Sequence, residues 1–70
     1  MTSLLSPEIT TVDSVAERCD RCSAAAKLVV TLTAGGELAF CGHHANRLHE
    51  DIVRVAERVE LEEDFAWAGK

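Results

Sequence analysis

Cys19-Asp20-Arg21-Cys22 and Cys41-Gly42-His43-His44 are the two stretches on which the reading of this chain turns. Each offers two metal-ligating side chains three residues apart, and eighteen residues lie between Cys22 and Cys41, enough for one β-hairpin. A tight turn brings Cys19 and Cys22 to the same side. At a helix start, positions i and i+3 share a face, so Cys41 and His44 converge as well. Zn²⁺ takes four such ligands in a tetrahedron. The spacing therefore assigns Cys19, Cys22, Cys41 and His44 to one structural Zn²⁺. His43 competes for the fourth position, but its i+2 place points to the other side of the helix, which favours His44.

Size and composition make such a staple necessary. A chain of 70 residues forms one domain, and a domain near that length buries only about 60% of the surface its unfolded chain exposes. Phe40, Phe65 and Trp67 are the only aromatic residues, so the 47% apolar content is mostly small aliphatic. Three cysteines cannot all pair within one chain, and all three lie in the ligand stretches. Met1 to Thr11 lacks the charged start and apolar run of a signal peptide, and no segment approaches the ~20 apolar residues of a membrane helix. A cytoplasmic protein is expected, where clustered cysteines bind metal more often than they pair. Seven Lys/Arg against twelve Asp/Glu give a net charge of −5, which disfavours direct phosphate binding over a wide surface.

Along the chain, residues 1–17 read as a flexible N-terminal arm. One helical turn is possible over Asp13–Arg18, and Leu4, Leu5, Ile9 and Val12 are candidates to dock on the core. Lys27–Thr33 is β-branched and predicts a strand. Ala34-Gly35-Gly36 predicts the turn and Glu37–Phe40 the return strand. From Gly42 to about Glu60 the apolar period becomes helical, through Ala45, Leu48, Ile52, Val55 and Val59. The expected fold is thus a small zinc-stapled α+β domain over residues 18–61: zinc knuckle, β-hairpin, then one long amphipathic helix, a treble-clef-like order. Residues 62–70 form an acidic-aromatic tail.

Other chemistries fit less well. Iron–sulfur clusters usually need four cysteines, and a redox dithiol needs a thioredoxin-like βαβ setting. A catalytic zinc keeps an open coordination position, so no enzyme is expected. Partial positive charge at the helix start favours a Cys41 thiolate. Amides after the knuckle cysteines can donate to sulfur, and Arg18 and Arg21 offset the net −1 of three thiolates, one neutral imidazole and Zn²⁺.

The run Cys19 to Cys22, the hairpin with Gly35-Gly36-Glu37-Leu38, and Phe40-Cys41-Gly42-His43-His44-Ala45 resemble a family of small actinobacterial and actinophage proteins classed as a domain of unknown function. The resemblance spans roughly residues 17 to 56. Its members typically carry glycine after the second cysteine, where this chain has Ser23. The resemblance implies a cytosolic, zinc-stapled protein and no established activity.

Three roles remain for such a platform. The first is a protein-interaction adaptor, reaching its partner through the helix stripe Leu48, Ile52, Val55 and Val59 or through Phe65 and Trp67 of the tail. Both aromatics have a second destination, the protein's own core. The second is a homodimer through the helix, whose stripe is near a/d spacing. The third is a nucleic-acid- or transcription-complex-associated zinc module using Arg18, Arg21, Lys27 and Arg47.

Overall fold

Leu28–Leu32 (β2) and Glu37–Phe40 (β3) form the expected hairpin in the computed structural model, which describes residues 7–69. Leu28 faces Phe40 and Val30 faces Leu38. Gly35 and Gly36 take φ of 103° and 90°, a region closed to most residues by their Cβ. Leu32 N–H donates to Gly36 O and Gly35 N–H to Leu32 O, each at 3.0 Å, closing the turn.

Beyond the hairpin, the single long helix expected from Gly42 to Glu60 is not what forms. Two short helices, Gly42–Arg47 (α1) and His49–Val55 (α2), meet at Leu48. Ala56–Glu62 is then a strand (β4). It pairs antiparallel with β2, Val59 facing Val30 and Leu61 facing Leu28. On its other side it pairs parallel with Glu8–Val12 (β1), Ile9 facing Val59 and Thr11 facing Leu61. The result is a four-stranded mixed sheet in the order β1-β4-β2-β3, not a treble-clef-like hairpin and long helix.

Energetics explain the correction. Val59 fits the helical stripe, but Val59-Glu60-Leu61-Glu62 also alternates with period two. Helix propensities of Ala, Glu, Arg and Leu differ from those of other ordinary residues by at most about 0.7 kcal/mol each. Burying an aliphatic side chain contributes about 1.5–3 kcal/mol. As part of an inner strand, Val59 and Leu61 both reach 0% exposure, so burial wins. The chain turns from helix to strand at Val55, whose carbonyl accepts Thr33 N–H at 3.1 Å and the Thr33 hydroxyl at 3.4 Å. The register slips there: Thr31 faces Arg58 but Leu32 faces Ala56, leaving Glu57 as an extra residue.

The expected arm over 1–17 also takes part in the sheet, because Glu8–Val12 is an edge strand and Ile9 packs against the core. Asp13–Arg18 contains no helix. Leu4 and Leu5 lie outside the described residues. The segment after β1 is tied down by Glu62, whose carboxylate accepts Val15 N–H at 3.0 Å and pairs with Lys27 at 3.1 Å. The Val15 amide first and Lys27 second hold the Glu62 carboxyl below its ordinary range.

One sheet face carries Leu28, Val30, Phe40, Val59 and Leu61, and α1, α2 and the tail cover it. Trp67 is 5% exposed, and its indole N–H donates to Ala45 O at 2.7 Å. Asn46 clasps the tail, its Oδ1 accepting Ala68 N–H at 2.7 Å and its Nδ2 donating to Ala66 O at 3.5 Å. Of the two destinations open to it, Trp67 takes the core. No helix among the described residues is long and apolar enough to cross a membrane.

Trp67→Ala should lower the unfolding free energy by about 3–5 kcal/mol, the range for emptying a buried aromatic site, as read by urea denaturation. A loss below about 1 kcal/mol, ordinary for surface substitutions, would place the ring outside the core.

Candidate metal centre

The knuckle folds on itself before it meets the rest of the site. Cys19 N–H donates to Ala24 O at 2.7 Å and Ser23 N–H to Cys19 O at 3.0 Å. Arg18 supports the turn through its guanidinium, 3.2 Å from Ser23 O. Ser23 takes φ of 68°, the left-handed region. That conformation is strained for a residue with a Cβ and free for glycine, which accounts physically for a preference for glycine at this turn.

Asp20 then docks the knuckle on the outer edge of β3. Its N–H donates to Ala39 O at 2.8 Å, and its Oδ2 accepts Ala39 N–H at 2.7 Å. Two bonds to one edge residue set the knuckle beside the end of β3, where Cys41 follows two positions later. Cys41 is extended (φ −71°, ψ 171°) and caps α1. Its carbonyl accepts the first helical bond, from Ala45 N–H at 2.8 Å, and His44 falls in that first turn.

The four expected side chains are brought together, and their ligand atoms all lie within 4.8 Å of one another. Cys22 Sγ is 3.6 Å from Cys41 Sγ, and His44 Nδ1 is 3.6 Å from Cys19 Sγ and 3.4 Å from Cys41 Sγ. With Zn–S near 2.3 Å and Zn–N near 2.0–2.1 Å, tetrahedral edges fall at about 3.5–3.8 Å. Donor chemistry and spacing are therefore compatible with a single zinc site. His44 presents Nδ1 to the cluster. His43 is exposed and sits edge-on to the His44 ring, centroids 5.0 Å apart. His49 is engaged elsewhere, its Nδ1 lying 2.8 Å from Asn46 O.

The thiols differ in environment. Burial works to raise Cys19, but the amides of Cys41, Arg21 and Cys22 outweigh it and bring this thiol down to about 6. Arg21 N–H is the donor seen at 3.4 Å. Cys22 has one favourable amide, from Ala24, yet desolvation and its two neighbouring sulfurs push it upward. The site favours a thiolate at Cys19 and opposes one at Cys22, an opposition that a cation between them would relieve.

Sequence reasoning missed two positioning residues, Asp20 and Asn46. Asp20 carried a local hint, a short acceptor inside a two-cysteine turn. Asn46 carried none, since its partners lie twenty and twenty-two residues away.

Sheet, knuckle and helix start together define a small mixed-sheet domain built around a Cys₃His cluster. Residues 13–66 match the family described as Domain of unknown function (DUF7455), and the chain belongs to that family. The matched span takes in all four cluster residues and every element except β1. No curated protein and no solved structure matches the chain.

Ser23→Gly should raise stability by about 0.5–1 kcal/mol, since relief of left-handed strain exceeds the added chain entropy of glycine. Thermal unfolding of the zinc-loaded forms measures it, and an unchanged or lower midpoint would contradict the strain.

Proposed function

We propose that the protein is a non-enzymatic adaptor, held together by one structural Zn²⁺ and docking a protein partner in an apolar groove beside the metal knuckle. Four protein donors leave the ion no open position for a substrate, the pattern of structural rather than catalytic zinc. The observation that carries the adaptor reading is where apolar surface remains. Among the described residues the exposed large hydrophobics are Leu38 and Val55, 38% and 44% exposed. Both line the same groove, ≈ 230 Å³, between α2 and the β2–β3 edge of the sheet, with Leu32 and Leu48 in its wall.

Of the residues expected to meet a partner, Ile52, Val59 and Trp67 are buried. Phe65 is half-buried and packs against the core, and Leu48 and Val55 remain, on the groove. Asp51 lines it too and pairs with exposed Arg54 at 3.1 Å, and such a pair exchanges easily because it contributes about 0–1 kcal/mol. With a net charge of −5 behind it, the groove suits a segment that places an aliphatic side chain between Leu38 and Val55 and a basic residue against Asp51.

Native mass spectrometry should show one Zn²⁺ per chain, and chelation should unfold it. His44→Ala should lose the metal and His43→Ala should keep it. A metal-free chain after zinc addition, or loss of zinc from His43→Ala alone, would refute the assignment.

The adaptor reading is tested with Leu38→Asp. This variant should keep its zinc and its melting temperature yet lose the partner that photo-crosslinks to position 55 in the parent. The crosslinked segment should hold an aliphatic residue near a basic one. Equal crosslinking by the variant, or a crosslink to a second copy of the chain, would overturn the reading.

A further inference from the structure

The three sulfur ligands do not meet solvent equally. Cys19 and Cys41 are 4% and 8% exposed, whereas Cys22 is exposed. Cys19 sulfur also accepts the Arg21 N–H at 3.4 Å, which draws off electron density. Cys22, the exposed one of the three, has its sulfur 3.6 Å from Cys41 Sγ. As zinc ligands all three sulfurs are thiolates, and an exposed one beside a buried second sulfur is the arrangement of an attacking and a resolving cysteine.

We propose that Cys22 is the site at which a peroxide reacts with this protein, and that Cys41 resolves the product as a Cys22–Cys41 disulfide that expels the metal. The inference rests on the zinc reading and adds a regulation of the same site. Cys22 thiolate attacks one oxygen of hydrogen peroxide, the S–O bond forms and the O–O bond breaks. The departing hydroxide takes a proton from solvent, leaving a sulfenic acid. Cys41 thiolate then attacks Cys22 sulfur, the S–S bond forms, and the S–O bond breaks to release a second hydroxide, also protonated by solvent. Two thiolates and one peroxide, with two solvent protons, become one disulfide and two waters. Zn²⁺ keeps only Cys19 and His44, half of the donors a structural site requires, and dissociates.

Cys19 is the alternative resolver, since it shares the knuckle with Cys22. Geometry argues against it. Its sulfur is held by the Arg21 amide at 3.4 Å, whereas the Cys22 and Cys41 sulfurs already lie 3.6 Å apart.

The test uses the full chain loaded with Zn²⁺ and challenged with excess hydrogen peroxide. Stoichiometry is read by native mass spectrometry beforehand. Zinc release is followed with a chromogenic chelator, and disulfides are mapped by alkylation and peptide mass spectrometry. One Zn²⁺ should leave per disulfide formed, and the bridge should join Cys22 to Cys41. Cys22→His, which replaces the sulfur of the exposed cysteine with a nitrogen ligand, should slow release about tenfold or more, because a nitrogen ligand has no place on the sulfur oxidation ladder. Should that variant fail to load zinc, the order of iodoacetamide labelling in the parent decides, with Cys22 expected first. A chain that takes up no zinc at the outset refutes the metal reading. A loaded chain that keeps its metal, or that forms a Cys19–Cys22 bridge, overturns this inference alone.

Discussion

Three thiols and an imidazole held within 4.8 Å are the constraint around which the rest of the chain is arranged. Two thiolates at about 4 Å repel by roughly 4 kcal/mol at an effective dielectric near 20. The cluster is compatible with a single divalent ion, which would offset that repulsion. Its donors come from two places far apart in sequence, the knuckle and the start of α1. Holding them together closes the loop that contains the β2–β3 hairpin. Asp20, bonded twice to Ala39, transmits that closure to the sheet edge.

The second source of order is the inner strand β4. It receives β2 on one side and β1 on the other, so both chain ends are recruited to a sheet that a hairpin alone could not stabilise. Trp67 and the Asn46 clasp then fasten the tail over α1. Metal cluster and tail thus act on the same short helix from opposite ends, Cys41 at its cap and Ala45–Asn46 in its body. The proposed groove is what this economy leaves open: α2 is too short to cover the β3 side of the sheet.

Placement of chemistry follows from the same geometry. Two of the three cysteines are buried and Cys22 is exposed. The apolar groove lies beside the knuckle, with Arg21 shared between the two.

Much of the site could be read from residues alone. Two ligand pairs at hairpin spacing, a β-branched run and a Gly-Gly turn are local patterns, and local patterns dictate local geometry. The four cluster residues, the hairpin and the helical character of the segment after Cys41 came from that level. What the sequence could not decide was the fate of segments with two admissible periods. Val59 satisfies a helix after Val55 and a strand with Leu61. Glu8–Val12 is too short and too polar to declare itself, and Trp67 suits a core or an interface equally. Each choice depends on burial against partners tens of residues away, worth more than the few tenths of a kcal/mol by which local propensity leans. Local pattern was enough to name the four cluster residues and the hairpin between them; tertiary pairing alone ends the helix at Val55 and brings Glu8–Val12 to the sheet and Trp67 to the core.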